Sequence, residues 1–189
     1  MLFLASQSPR RRELLRQLGV DFDVLDVDVL EQREPGEPPL DYVSRVAREK
    51  AAVGLLQVVA VPGAVVLGAD TEVVLDDDVF GKPVDAADAV RMLRRLSGRT
   101  HQVVSVLWAV SAGREEHASC TSRVEFAELS EAAIAAYVGT GEPFGKAGAY
   151  AIQGRAAAFI RRLDGSYSGV MGLPLHETAG LLGRFEPVA

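Results

Sequence analysis

The chain has 189 residues, 48% hydrophobic and 24% charged, with a formal net charge of -6. That length buries a core as one domain or as two small lobes, and the acidic balance argues against general nucleic-acid binding, which makes a domain basic. The single cysteine, Cys120, leaves no intramolecular disulfide and points to a reducing compartment, and no run approaches the ~18–20 apolar residues of a membrane helix, so a cytoplasmic protein without a membrane partner is expected.

Leu2-Phe3-Leu4-Ala5 reads as a short apolar strand leading into a helix over 9–18, with Ser8 as its cap, Pro9 at the first helical position and Gly19 closing it. Arg10, Arg11 and Arg12 fill the first turn, where the helix dipole penalises cations by ~0.3–1 kcal/mol each. Two readings account for them: a bound polyanion gripped by amides, a hydroxyl and guanidinium forks, or a solvated basic face packing its aliphatic stems. Val20, Phe22, Val24, Val27 and Val29 predict a second strand with one buried face. Residues 31–39 form a charged, proline-rich loop, read as a mobile lid or cleft rim. Helical spacing over 40–57 buries Tyr42, Val43, Val46, Ala47, Ala51, Gly54 and Leu55 and puts Lys50 in the second half.

The most apolar segment, 64–69, reads as a buried central strand that reaches Asp70-Thr71 and continues to Leu75. Function in open α/β sheets collects at strand ends. Asp76-Asp77-Asp78 reads as a hairpin turn rather than a metal site, and Gly81-Lys82-Pro83 as a corner presenting one lysine. Asp85 caps a helix over 86–96. Two long strands follow, over 101–110 and 117–126, around Ala112-Gly113, and then a helix capped by Ser130 and stopped by Gly139. Residues 141–148 look superficially like a P-loop, but the glycine-to-lysine spacing is one short, Ala147 replaces the Ser or Thr, and a helix precedes it. Residues 150–154 and 156–160 read as strand, Asp164-Gly165 as a turn, 166–173 as a loop, and 174–182 as a last helix. The fold class is α/β, a mixed, twisted central sheet with flanking helices in two lobes around a cleft at the strand ends.

Ser8, Arg10, Arg11, Glu31, Asp70, Lys82, Lys146 and Gln153 stand on loops or strand ends, with Lys50 on a helix. Five cations, two carboxylates and neutral hydrogen-bonding groups suit phosphoryl chemistry, in which positioning and charge neutralisation do most of the work. A carboxylate can hold a hard divalent cation or take a proton from attacking water, and both roles are open to Asp70. His101, His117 and His176 are scattered without zinc spacing and are expected to be structural or exposed. There is no G-x-S-x-G elbow and no G-x-G-x-x-G fingerprint.

Ser8-Pro9-Arg10-Arg11, Arg48-Glu49-Lys50-Ala51, Gly68-Ala69-Asp70-Thr71, Lys82-Pro83, Leu96-Ser97-Gly98 with His101, Lys146-Ala147-Gly148-Ala149-Tyr150 and Gly172-Leu173-Pro174-Leu175 occur in order across nearly the whole chain. Together they resemble the Maf (septum-formation inhibitor) family of nucleotide pyrophosphatases. The resemblance implies one domain over 1–189, a fold similar to inosine triphosphate pyrophosphatases, and hydrolysis of a nucleoside triphosphate to monophosphate and pyrophosphate with Mg²⁺ or Mn²⁺, by a homodimer. It further implies Asp70 as the proton acceptor for water attacking the α-phosphorus, Glu31 as its partner in holding metal or orienting water, and Ser8, Arg10, Lys50, Lys82 and Lys146 around the triphosphate. Lys82 is counted with Asp70 and Glu31 as catalytic. Arg11, Thr71 and Gln153 match the dTTP/UTP-hydrolysing branch, and a glutamine amide, with one acceptor and two donors, fits the edge of uracil or thymine. Arg12 is left as a solvated charge. Alternatives are a pyrophosphatase for modified nucleotides and a nucleotide-binding regulator of cell division. Gly145 departs from the family's usual aspartate, Gly169-Val170-Met171 from the usual Asn-Val-Val, and Glu72 from the aliphatic residue common there.

Overall fold

The chain enters through β1 (Leu2–Ala5), and Ser8 turns it into α1 (Pro9–Gln17): Ser8 is extended, and its hydroxyl accepts the Arg11 amide at 3.4 Å. This computed structural model describes residues 1–185. Leu14 and Leu15 bury the inner face of α1. β2 (Phe22–Leu25) runs parallel to β1, with Leu2 opposite Phe22 and Ala5 opposite Leu25. It is shorter than the valine pattern predicts, and just past its end the Asp26 carbonyl accepts the Gln57 side-chain amide at 2.7 Å. That bond ties the connecting segment to the far end of α2 (Pro39–Gln57).

β3 (Val65–Leu75) lies parallel to β1 and is buried along almost its whole length, as a central strand should be. It folds back through Asp76-Asp77 into β4 (Asp78–Phe80), with Leu75 paired to Asp78. Both turn aspartates have positive φ, 52° and 68°, the condition for a two-residue hairpin turn that follows the strand twist. The turn reading of this triplet therefore holds, and the third aspartate belongs to the strand. α3 (Ala86–Leu96) is capped by Asp85, whose side chain accepts the Asp88 amide at 2.7 Å. β5 (Thr100–Ser111), β6 (Arg114–Phe126) and α4 (Glu131–Val138) follow. The chain ends through two short 3-10 segments, Ala147–Ala149 and Arg155–Phe159, then β7 (Ile160–Asp164), α5 (Tyr167–Met171) and α6 (Leu175–Gly183). Among the described residues the strands make one mixed sheet of seven, ordered β2-β1-β3-β5-β6-β7, with β4 paired to β3.

Two predictions from the last third need correction. Residues 150–159 contain no strand; they are turn and 3-10 helix, and the strand begins at Ile160, running to the aspartate expected in a turn. Residues 167–171, expected to be loop, make a short helix. No helix among the described residues is long and apolar enough to cross a membrane.

The chain divides into two compact units. The first comprises Met1–Asp70, Ser105–Cys120 and Gly172–Ala189, and the second Thr71–Val104 and Thr121–Met171. A core in the first joins Phe3, Ala5, Ala51, Val58, Val66 and Val110. The core of the second centres on an aromatic cluster in which Phe126 meets both His101 and Tyr150 edge to face, at 5.0 and 4.9 Å between ring centres.

His101 is structural, as expected: it is 2% exposed, and its Nε2 shares a hydrogen bond of 2.9 Å with the Tyr150 hydroxyl. Burial pushes the imidazole down from 6.5 to about 4. Between those values the unfolded chain binds a proton that the native chain does not, so stability is full above pH 6.5 and falls as pH drops toward 4, by about 3 kcal/mol in all. Denaturant titrations across pH 7 to 4 should show that slope. In His101→Gln, which does not titrate, it should flatten.

Candidate functional site

Within the first unit, Lys50, Glu31 and Asp70 come together. Lys50 lies on the buried face of α2, and its Nζ donates to Asp70 Oδ1 at 2.8 Å and to Glu31 Oε1 at 2.6 Å. One ammonium is thus shared by two carboxylates, with side-chain exposures of 9% for Lys50, 6% for Asp70 and 29% for Glu31. The approach of α2 to β3 depends on Gly68, two residues before Asp70 on the same face of the strand. A Cβ at Gly68 would stand 2.3 Å from the Ala47 carbonyl oxygen and 2.6 Å from the Ala51 amide. Helix backbone therefore rests directly on strand backbone, and Lys50, beside Ala51, falls against the strand where Asp70 projects. The second oxygen of Asp70, Oδ2, is buried and has no hydrogen-bond partner among the described residues. A buried carboxylate oxygen without a donor costs free energy, which a water, a cation or a proton would relieve.

The segment carrying Glu31 is strapped to α2 and is not the unpacked lid its composition suggests. Arg45 makes a two-pronged pair with Glu37, Nε to Oε1 at 2.8 Å and Nη2 to Oε2 at 2.9 Å, and also donates to the Gln32 carbonyl at 3.0 Å. Arg33 donates to the Glu37 carbonyl at 2.7 Å, and the Glu34 amide to Glu37 Oε2 at 3.0 Å. Arg45's hydrogen bond, followed by the Glu34 amide, holds the Glu37 carboxyl down to about 2. Forked arginine–carboxylate pairs fix orientation as well as distance. Neither residue stands out in the sequence, because the pair closes across the proline turn rather than at helical spacing.

On α1, the Arg10 guanidinium is half-buried; burial, followed by the charge of Arg11, pushes its pKa below the ordinary arginine value. The first turn contains no acidic residue. Arg11 donates from Nε to the Gly172 carbonyl at 2.8 Å and from Nη1 to Ser6 Oγ at 3.4 Å, so it ties α1 to the segment entering α6. Ser8, besides capping the helix, donates its own amide to Ser6 Oγ at 3.3 Å. Arg12 is half-buried rather than fully solvated.

The second unit holds Thr71, Lys82, Lys146 and Gln153. Thr71 follows Asp70 directly in β3, and Lys82 is exposed in the connection from β4 to α3. Lys146 is half-buried, and its Nζ donates to the carbonyls of Glu142 at 2.8 Å and Phe144 at 3.2 Å. Gln153 is exposed in a turn just before the 3-10 segment at Arg155. Gly145, where the resemblance leads one to expect aspartate, has φ of 71°, and an added Cβ would meet nothing within 4 Å. The position has room for a side chain but a backbone angle that glycine favours.

No group of three or more metal-ligating side chains is gathered among the described residues. The donor set still suits a hard cation of the Mg²⁺ type, which binds through one or two carboxylates and fills its remaining positions with water and phosphate oxygens. Asp70 Oδ2, buried and unpartnered, is the observation that favours it.

The family model described as Maf-like protein matches residues 1–185. The chain belongs to the Maf-like family. A relative from Xanthomonas euvesicatoria pv. vesicatoria (strain 85-10), named dTTP/UTP pyrophosphatase, is 60% identical over 187 residues, covering 98% of each chain. One from Xylella fastidiosa (strain M23), named nucleoside triphosphate pyrophosphatase, is 58% identical over 187 residues, covering 98% of this chain and 99% of the relative. A solved structure of the Staphylococcus aureus Ham1 protein matches with a TM-score of 0.49 and 14% identity, over 97% of this chain and 96% of that one. Within this Maf-like chain, Glu31, Lys50 and Asp70 are predicted site residues that side-chain bonds draw together.

Proposed function

We propose that the chain is a pyrophosphatase that hydrolyses dTTP and UTP to the monophosphate and pyrophosphate, by attack of water on the α-phosphorus. The observation that carries this reading is the ammonium of Lys50 held between Glu31 and Asp70, with Asp70 Oδ2 buried and unpartnered. The names of relatives near 60% identity over almost the whole chain support the substrate. A net charge of -6 suits a small polyanion gripped by local cations better than a nucleic-acid duplex.

Asp70 Oδ2 accepts the proton of the attacking water, and Lys50 keeps the carboxylate turned toward it through Oδ1. Glu31, on its strapped segment, assists by orienting the water or by holding metal. Asp70 and Glu31 are the residues that would hold Mg²⁺ or Mn²⁺. Such a cation, when bound, neutralises charge developing on the phosphate oxygens. In the first unit Arg10, desolvated at the start of α1 beside the helix amides, grips phosphate oxygens with Ser8. Lys82 and Lys146, in the second, keep the phosphate-binding role that the family resemblance gives them. Arg11, anchored on Gly172 and Ser6, is assigned to base selection by the family resemblance, and so, in the second unit, are Thr71 and Gln153.

A panel of nucleoside triphosphates with pyrophosphate detection tests the reading. dTTP and UTP should release pyrophosphate fastest, whereas a clear preference for a purine overturns the base assignment. In the same assay Gln153→Ala should cut the preference for dTTP over dCTP about 10- to 100-fold, the equivalent of one or two lost hydrogen bonds.

A further inference from the structure

Lys146 and Gln153, which the proposed reaction uses, sit on two segments that one side chain joins. Glu142 opens the first segment, and its carboxylate is spent on the second. Oε1 accepts the Tyr137 hydroxyl at 2.9 Å and the Ala156 amide at 3.4 Å, while Oε2 accepts the Arg155 amide at 3.1 Å. The Tyr137 hydroxyl in turn accepts the Ala151 amide at 3.2 Å. Backbone groups on both sides of Gln153 are therefore bonded to this carboxylate, directly at 155 and 156 and through Tyr137 at 151. Gly154 makes the fit possible, because a Cβ there would stand 2.3 Å from Glu142 Oε1. The Glu142 carbonyl receives Lys146 Nζ at 2.8 Å, so the residue also anchors the lysine.

The electrostatics agree with a fixed anion in this place. Burial opposes the charge on Glu142, but the Arg155 amide, the Tyr137 hydroxyl and the Ala156 amide outweigh it and hold the carboxyl below its ordinary range. Burial, followed by the bond to Glu142, pushes the Tyr137 hydroxyl up, so it remains a donor. Tyr137, Glu142, Lys146, Ala151, Arg155 and Ala156 are consequently joined in one network of hydrogen bonds.

We infer that Glu142 is a positioning residue for substrate selection, locking the Gln153 turn and the Lys146 loop into one piece so that base and triphosphate recognition are coupled. This inference rests on the hydrolysis reading above. It differs from an ordinary structural role in what it predicts for kinetics: loosening the piece should weaken capture and blur base choice while leaving the chemistry at Asp70 in place.

The test is steady-state kinetics of native protein, Glu142→Ala, Glu142→Gln and Tyr137→Phe with dTTP, UTP and dCTP, beside thermal unfolding of each. In Glu142→Ala the KM for dTTP should rise about tenfold, with kcat within about threefold, and the dTTP-over-dCTP preference should fall about tenfold. Glu142→Gln keeps the length and one acceptor oxygen and should recover part of both losses. A native chain that releases no pyrophosphate from any triphosphate overturns the hydrolysis reading and this inference with it. A native chain that is active, with Glu142→Ala folded and matching it in KM and preference, overturns this inference alone, even where the variant melts lower. Should Glu142→Ala fail to fold, unchanged KM and preference in both Glu142→Gln and Tyr137→Phe overturn it equally.

Discussion

Asp70→Asn should lower dTTP turnover by about 10²–10⁴-fold, the usual worth of a positioned general base, while leaving triphosphate binding within a few-fold of native. The substitution keeps the shape of the side chain and one oxygen to accept from Lys50 Nζ, now 2.8 Å from Asp70 Oδ1. It removes the ability of the Oδ2 position, buried and unpartnered, to take a proton. Pyrophosphate release in single-turnover conditions measures the first effect, and calorimetric titration with triphosphate the second. Turnover within about fivefold of native would remove Asp70 from the proton-accepting role. Loss of binding together with turnover would mean that its part in holding substrate or metal outweighs its part in accepting the proton.

Lys50→Met carries the largest expected effect on stability. Methionine matches the aliphatic stem but leaves two carboxylates facing each other without the ammonium that both now contact. Breaking a buried pair by removing one partner typically costs about 3–5 kcal/mol, and the partial exposure of Glu31 places this case at the lower end, about 3 kcal/mol. The denaturant midpoint should fall accordingly. Adding Asp70→Asn to Lys50→Met should recover part of that loss, since it removes one of the stranded charges, and the departure from additivity measures the coupling. A midpoint unchanged by Lys50→Met would mean that the cluster contributes nothing to the fold.

Much of the first unit can be read from the chain before any coordinates. Ser8 and Pro9 mark the start of α1 because a hydroxyl acceptor and a missing amide are local chemistry. The 3.6-residue period of α2 puts Lys50 on the same face as Val46, Ala47 and Gly54, although a lysine there reads as solvated until its partners are known. Asp76-Asp77 declares its hairpin because few residues other than glycine, asparagine and aspartate take positive φ twice in a row.

What escapes the sequence depends on contacts distant along the chain. The apolar residues from Tyr150 to Phe159 satisfy a strand pattern, yet the amides of Arg155 and Ala156 bond to Glu142, and a ladder partner never forms there. Short apolar runs carry no signal that separates these outcomes. Residues 31–37 look too charged to pack, and they are held by Arg45 and Lys50 from a helix beyond the prolines. Composition reports the charge of such a segment without the partner that absorbs it.

The direct seat of α2 on β3 at Gly68 has a consequence for how the proposed site keeps its geometry. With a Cβ at Gly68 only 2.3 Å from the Ala47 carbonyl oxygen, and one at Gly54 only 2.9 Å from Val66 Cγ1, no flexible side chain separates helix from strand at Gly68. Where Gly68 meets α2, rotamer hopping therefore has little to act on, and thermal motion there is mainly movement of whole elements. An electrostatic site that is already arranged before substrate arrives loses less to reorganisation during reaction. Preorganisation here would come from the absence of two side chains, in a seam where even one methyl group would part the charges.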